Sequence, residues 1–340
     1  MQKKLNFKAA VLTSKNKIIL ERLEFPELRY GQALIKMLFS SICHTQVQEI
    51  NGQRGKDNYL PHCLGHEAVG TIVDKHKSVR KVNLGDKVCL SWIKGKGIDS
   101  GGTQYKNIKG KIINAGPVNT FSEYAVVSEN RIYKLSKNDH NMSSVLLGCA
   151  IPTAFNSIFY SLKDVKYGPI CIFGCGGVGL STIMASKIKK ISPIIGIDIN
   201  NKKLTSAKKF GANKTFNFKN VNFKNKLKAY CKSNFPIIIE CTGKIEVLNF
   251  CIDVVNSFGG KILVIGNYPK PAHIKFDPWN IINGKTLMGA WNDKDFYDYK
   301  INFFKKKLDK NYHKNFFGKK IYTLDQINIA LSDFKKGKIV

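Results

Sequence analysis

The stretch Ile170-Cys171-Ile172-Phe173-Gly174-Cys175-Gly176-Gly177-Val178-Gly179 decides the fold. Four apolar residues read as a buried strand, and helical spacing resumes after the glycines, so the pattern Gly-x-Gly-x-x-Gly joins a strand directly to a helix. In that setting each glycine has a task. Gly174 permits the tight turn, Gly176 lets the backbone approach a pyrophosphate, and Gly179 lets the helix pack closely on the sheet. Gly177 and Val178 complete a helix N-terminus whose N–H groups and dipole face the phosphates. Nineteen residues after Gly179, at the end of the next predicted strand, stands Asp198. A carboxylate there accepts from both ribose hydroxyls of NAD and repels the extra phosphate of NADP. NAD is therefore expected over NADP, although Lys202 and Lys203 follow closely and soften the discrimination. The plainer role for Asp198 is a cap for the helix beginning at Asn201.

Working outward, strand and helix signals alternate: strands Ile170 to Phe173, Pro193 to Asp198, Pro236 to Glu240, Lys261 to Ile265 and Thr286 to Ala290, with helices Gly179 to Lys190, Asn201 to Phe210 and Ile245 to Ser257. This alternation predicts βαβ units and an α/β, doubly wound parallel sheet of the Rossmann kind, in which six strands are expected and five can be placed. From Phe7 to about Ala125 the character differs. Short β-like runs (Lys8 to Leu12, Gln32 to Met37, Ala68 to Val73, Lys87 to Trp92, Phe121 to Val127) are broken by Gly, Pro and Asn, so this half reads mainly β. The tail from Asp295 to Val340 reads as helical and lysine-rich, with Phe303-Phe304 and Phe316-Phe317 among the lysines, more in keeping with an amphipathic helix than with a nucleic-acid surface.

At 340 residues two domains are expected. The formal net charge is +31, and only Arg22, Arg29, Arg54, Arg80 and Arg131 of the 55 basic residues are arginine. Nucleic-acid readers lean on arginine, so a lysine excess spread along the chain speaks for compositional bias, or for attraction of an anionic substrate, and not for specific nucleic-acid binding. Nine cysteines, an odd set without regular spacing or a CxxC pair, speak against a disulfide framework. The N-terminal apolar run is too short for a signal sequence, and a cytoplasmic enzyme is expected. Tyr167 to Ser186 carries no charge, yet its glycine run fits a buried strand-turn-helix better than a membrane span.

A second constellation consists of Cys43-His44-Thr45, Gly65-His66-Glu67 and Gly148-Cys149. Each piece alone is unremarkable, because lone cysteines and histidines are mostly core or surface residues. Together, ahead of a glycine-motif domain, two thiols and an imidazole make a borderline-soft ligand set suited to Zn²⁺ with an open fourth position. These residues, with Leu64 to Gly70, Gly85-Asp86-Lys87-Val88, Phe121-Ser122-Glu123-Tyr124, Ile197 to Asn200 and Glu240-Cys241-Thr242-Gly243, resemble the zinc-containing medium-chain dehydrogenase/reductase family in its alcohol dehydrogenase branch, over nearly the whole chain.

The resemblance implies a GroES-like catalytic domain over 1–150 and 292–340, with an NAD-binding Rossmann domain over 151–291. It implies a catalytic zinc on Cys43, His66 and Cys149, Glu67 beside the metal, and Thr45 as acceptor of the alcohol proton. His44 is placed near the cofactor pyrophosphate, Thr153 by the nicotinamide, Lys203 by the adenosine ribose, Ile265 in the cofactor-binding set and Trp92 in the substrate pocket. Cys149, where related polyol dehydrogenases tend to carry glutamate, favours an alcohol/aldehyde substrate; polyol, sugar or nucleotide-linked alcohols are the alternative, and zinc-free quinone reduction or a non-catalytic basic protein are the more distant ones. Relatives pair sheets edge to edge, which makes Thr286 to Ala290 the expected contact of a homodimer or homotetramer.

Three departures stand out. Gln46 and Gln48 occupy positions where relatives often have Asp and His, so the support of the ligand histidine and the exit of the proton are both expected to differ; water or His44 is the expected exit. Between Trp92 and Phe121, where zinc-containing relatives usually carry four closely spaced cysteines for a structural zinc, there is no cysteine. One catalytic zinc and no structural zinc are expected.

Overall fold

The computed structural model describes residues 5–136, 142–166, 168–291 and 320–339, which fall into two compact units. The first contains residues up to Cys149 together with the described C-terminal residues, and the second runs from Ala150. No single described helix is long and apolar enough to cross a membrane. The expected tail helix from Asp295 lies mostly outside the described residues; within them, Ile327–Lys335 is helical.

The first unit contains β1 (Asn6–Ser14), β2 (Lys17–Glu24), β3 (Gln32–Ser40), α1 (His44–Ile50), β4 (His62–Cys63), β5 (Ala68–Lys75), β6 (Lys87–Leu90), β7 (Thr103–Lys106), β8 (Ile112–Ala115), β9 (Tyr124–Ser128) and β10 (Ile132–Lys134). They form two five-stranded sheets, ordered β2-β1-β4-β8-β7 and β10-β6-β5-β3-β9. Alternation dictates which faces meet. In β3, Ala33 and Ile35 point inward onto Ala68, Ile72, Val88, Leu90 and Ala125, all fully or nearly buried. Strand β2 carries no alternating signal in the sequence because Lys17–Glu24 buries only Ile18 and Leu23, which fall on opposite faces, with Glu21, Arg22 and Glu24 distributed over both.

The second unit contains α2 (Ala150–Asn156), β11 (Ile170–Phe173), α3 (Gly177–Ile188), β12 (Ile194–Asp198), α4 (Asn201–Phe210), β13 (Lys214–Asn217), α5 (Phe223–Cys231), β14 (Ile237–Glu240), α6 (Ile245–Val254), β15 (Lys261–Val264), α7 (Trp279–Ile282) and β16 (Thr286–Gly289). All neighbouring strands pair in parallel, in the order β13-β12-β11-β14-β15-β16. That is the doubly wound Rossmann order, whose direction reverses between β11 and β14 and opens a crevice beyond their carboxyl ends. The sixth strand is β13, a sheet edge with none of its four residues fully buried, so it lacks the apolar run that marks β11, β12 and β14. The helix after the glycines begins at Gly177 and not at Gly179, because Gly176 already accepts the Leu180 N–H at 2.8 Å. The uncharged stretch considered as a span thus resolves into β11, a turn and α3.

Candidate metal centre and cofactor site

In the first unit, Cys43 stands at the N-cap of α1, His66 and Glu67 lie immediately before β5, and Cys149 follows the 3₁₀ segment Met142–Gly148. One ligand atom from each of Cys43, His66, Glu67 and Cys149 lies within 4.8 Å of the others. Gly148 makes the approach possible, since a Cβ there would sit 2.5 Å from the Leu90 carbonyl oxygen and 2.7 Å from the Glu67 Cβ. Its carbonyl is held by the Ser91 hydroxyl at 2.6 Å, which fixes the direction in which Cys149 leaves the chain.

The cluster carries the mark of a cation site. His66 Nε2 and Glu67 Oε2 are buried and make no hydrogen bond, an expensive arrangement for a polar pair without a further partner. The hydrogen bond from Cys149, assisted by the charge of His66, holds the Cys43 thiol well below its ordinary pKa against the penalty of burial. Cys149, as the donor of that pair, is pushed up. Burial, reinforced by the charge of Cys43, raises the Glu67 carboxyl to about 8. Two sulfurs, an imidazole nitrogen and a carboxylate oxygen at this spacing suit zinc, whose bonds to sulfur and nitrogen are about 2.0–2.3 Å.

Around the cluster, Trp92 Nε1 donates to Cys149 Sγ at 3.2 Å, so the indole is tied to a ligand as well as lying beside the site. Thr45 Oγ1 lies 3.6 Å from Cys43 Sγ. Gln46 accepts the Cys43 N–H through Oε1 at 3.1 Å and brings Nε2 against His66 Nδ1. His44 is exposed, its ring 6.4 Å from that of Phe334.

The second unit holds the other predicted residues. Gly174 has φ +91°, and a Cβ at Gly179 would fall 1.7 Å from the Gly174 carbonyl oxygen, so the turn and the start of α3 demand glycine. At Gly176 a Cβ would meet nothing within 4 Å, which leaves space against the N-terminus of α3, where Gly177 and Val178 form the first turn. Asp198, at the end of β12, accepts the Cys175 N–H through Oδ2 at 2.7 Å and the Asn200 N–H through Oδ1 at 2.8 Å. The cap of α4 is Asn200, which accepts from Lys202 N and Lys203 N, so the capping role weighed for Asp198 belongs to its neighbour. Thr153 lies on α2, Lys203 in the first turn of α4, and Ile265 directly after β15, its N–H donating to the Glu240 carbonyl at 2.8 Å.

Residues 29–137 match the family description "Alcohol dehydrogenase GroES-like domain", and residues 177–305 match "Zinc-binding dehydrogenase". The chain is 26% identical over 312 residues to S-(hydroxymethyl)glutathione dehydrogenase of Saccharomyces cerevisiae, covering 83% of this chain and 81% of that one. Benzyl alcohol dehydrogenase from Acinetobacter calcoaceticus superposes with a TM-score of 0.82 at 26% identity, covering 98% of both chains. The chain belongs to the zinc-containing medium-chain alcohol dehydrogenase family. The fold of 2R,3R-butanediol dehydrogenase from Bacillus subtilis is shared as well, with a TM-score of 0.75 at 22% identity over 98% of this chain and 97% of that one.

As a member of this alcohol dehydrogenase family the protein is a zinc-dependent oxidoreductase, and zinc and NAD(H) are the family's cofactors. Two polar groups received no role in the sequence reading. Glu240, fully buried at the end of β14, accepts from Thr242 N at 2.6 Å, from the Thr242 hydroxyl, and from Tyr268 Oη at 2.5 Å, tying the loops after β14 and β15 together. The signal for it was present, as a carboxylate closing the run Ile237-Ile238-Ile239 cannot be left unpaired. His62, buried on β4, was masked by the more prominent His66 four residues on.

Proposed function

We propose that this protein is a dehydrogenase linking a small alcohol/aldehyde pair to NAD, with a single catalytic zinc held by Cys43, His66 and Cys149. The buried convergence of these three side chains with Glu67, in which His66 Nε2 and Glu67 Oε2 have no hydrogen-bonding partner, carries the reading. When bound, zinc supplies Lewis acidity toward the substrate oxygen and NAD supplies the hydride acceptor.

The chain's own residues do the rest. Thr45, one hydroxyl away from the cluster, is placed to take the alcohol proton, and the Trp92 indole both shields and hydrogen-bonds the Cys149 sulfur. Glu67 stands ready as a neighbouring carboxylate. Gly176 and the first turn of α3 receive the pyrophosphate. Each Asp198 oxygen already takes one backbone N–H and has lone-pair capacity left for the ribose hydroxyls, the basis of the NAD preference. Thr153, Lys203 and Ile265 complete the proposed cofactor set.

Support for a single zinc comes from the segment between Trp92 and Phe121, which lacks cysteine and is held by a carboxylate instead. Glu129 accepts from Arg80 N at 2.7 Å, Lys81 N at 2.9 Å and Ile98 N at 2.9 Å. The formal charge of +31 and the likeness to S-(hydroxymethyl)glutathione dehydrogenase favour testing anionic alcohols beside neutral ones. Strand β16 lies at the sheet edge next to exposed Trp279 and Ile282, which favours pairing of two copies there. The described cysteines are all free thiols, in keeping with a cytoplasmic setting. A panel of simple, aryl and anionic alcohols, polyols and sugar phosphates, run with NAD against NADP and with zinc measured on the same sample, tests the reading. Turnover of none of them by zinc-loaded protein would reject it.

A further inference from the structure

A doubly wound sheet is two mononucleotide-binding halves that meet at the crevice, here between β11 and β14. With Asp198 on β12 taking the adenosine ribose, the nicotinamide falls to the half built from β14, β15 and β16. A buried carboxylate shapes that half. We propose that Glu240 and Tyr268 are positioning residues for the nicotinamide end of the cofactor, because the bond between them fixes the two loops that receive it. This rests on the dehydrogenase reading above.

Glu240 closes β14 at the carboxyl end of the sheet and grips both loops that leave there. Toward its own loop, Oε1 accepts the Thr242 N–H at 2.6 Å, the Thr242 hydroxyl, and the Gly243 N–H at 3.2 Å. Toward the loop after β15, Oε2 accepts the Tyr268 hydroxyl at 2.5 Å. The Glu240 main-chain carbonyl adds the Ile265 N–H at 2.8 Å and the Gly266 N–H at 3.0 Å. Four donors thus meet the carboxylate itself, which is what a buried group of this kind requires.

The two loops touch backbone to backbone. A Cβ at Gly243 would lie 2.0 Å from the Asn267 carbonyl oxygen, and one at Gly266 would lie 2.3 Å from the Gly243 nitrogen and 2.6 Å from Glu240 Oε2. The loop after β14 also abuts the pyrophosphate turn, since a Cβ at Gly174 would meet the Thr242 methyl at 2.9 Å. The glycine turn and both loops are therefore one layer at the crevice. Thr242, Ile265 and Gly266 are half-buried and Asn267 is exposed, so the layer presents a surface, whereas Glu240 lies wholly beneath it. Glu240 acts through the loops and does not itself face the cofactor.

Tyr268 is the part of the tie that can be removed alone. Its ring packs against the apolar core that contains Phe173, Leu248 and Ile262, while its hydroxyl reaches Glu240. Burial, reinforced by the adjoining carboxylate, raises the tyrosine pKa, so the hydroxyl remains a donor. Tyr268→Phe keeps the ring and leaves the loop after β15 with its two main-chain bonds to Glu240. In Glu240→Gln the side-chain oxygen can still face Thr242 while the amide donates to the Tyr268 hydroxyl, so both loops stay tied.

The experiment measures, by titration calorimetry on zinc-loaded wild type, Tyr268→Phe and Glu240→Gln, the affinity for NADH and for ADP-ribose, which lacks the nicotinamide. Zinc content and thermal melting are followed on the same samples. Tyr268→Phe is expected to bind NADH about tenfold more weakly while its affinity for ADP-ribose stays within about twofold of wild type and its zinc is retained. Glu240→Gln, with a bond to each loop, is expected to stay within about threefold of wild type for both ligands. A Tyr268→Phe protein with unchanged affinity for both ligands overturns the positioning role. So does an equal loss for both, which a merely structural role would give. A zinc-loaded wild type that binds neither NADH nor ADP-ribose overturns the dehydrogenase reading itself.

Discussion

Replacing Glu129 by glutamine tests how the loop between Trp92 and Phe121 is held without cysteine. The residue is 4% exposed. Oε1 accepts Arg80 N and Lys81 N, and Oε2 accepts Ile98 N. Burial pushes the carboxyl pKa up, but the three N–H bonds and the charge of Lys81 together outweigh it and lower the pKa. Glutamine keeps one oxygen. If that oxygen faces Arg80 and Lys81, its amide nitrogen meets the Ile98 N–H donor to donor; in the other orientation two donors are stranded. At about 1.5–3 kcal/mol for a hydrogen bond to a charged acceptor, one bond lost and two weakened amount to roughly 2–4 kcal/mol. For a unit of this size that corresponds to a fall in Tm of roughly 5–15 °C.

The sign with pH follows from the lowered pKa. The stabilisation is fully present above the unfolded glutamate value of about 4.3 and is lost as pH falls through the folded value, so wild type and variant converge in strong acid. Thermal melts from pH 3 to 8, with and without chelator, and limited proteolysis within residues 93–101 provide the assay. Melting of Glu129→Gln together with wild type at pH 7, while chelator releases a second metal ion and lowers the wild-type Tm, would refute the reasoning.

Three further outcomes are expected. Binding a metal through His66 Nε2 requires the proton on Nδ1, and so an oxygen facing it, yet the one oxygen of the Gln46 amide is taken by the Cys43 N–H; Gln46→Asp offers both acceptors and is expected to tighten zinc about tenfold in competition with a chromophoric chelator, unchanged affinity counting against this picture. Gly179→Ala forces a Cβ to 1.7 Å from the Gly174 oxygen, and NADH binding followed by fluorescence is expected to vanish, whereas wild-type affinity would show that the turn is misdescribed. Asp198→Ala removes the acceptor of the Cys175 and Asn200 N–H groups and the negative charge, so KM for NAD is expected to rise at least tenfold while KM for NADP changes little or falls; equal effects on both would assign Asp198 a structural role alone.

What the sequence disclosed depended on how local the signal was. The glycine turn is readable because its chemistry is packed into six adjacent residues, and β11, β12 and β14 are readable because buried parallel strands are continuous apolar runs. Strands β13 and β2 carry no continuous or alternating apolar run, since β13 buries none of its residues and β2 only Ile18 and Leu23 on opposite faces, and α3 starts two residues before the sequence pattern places it because glycines weaken the helical signal at its first turn. Cys43, His66, Glu67 and Cys149 were selected by residue type and resemblance; the fold shows them converging across more than a hundred residues of chain.

The most direct test of the central claim is zinc content measured with alcohol-dependent NADH formation on wild type and Cys149→Ala, purified side by side. One zinc per wild-type chain, and joint loss of metal and activity in the variant with NADH binding retained, is the predicted result. Full activity of Cys149→Ala without metal would contradict the account.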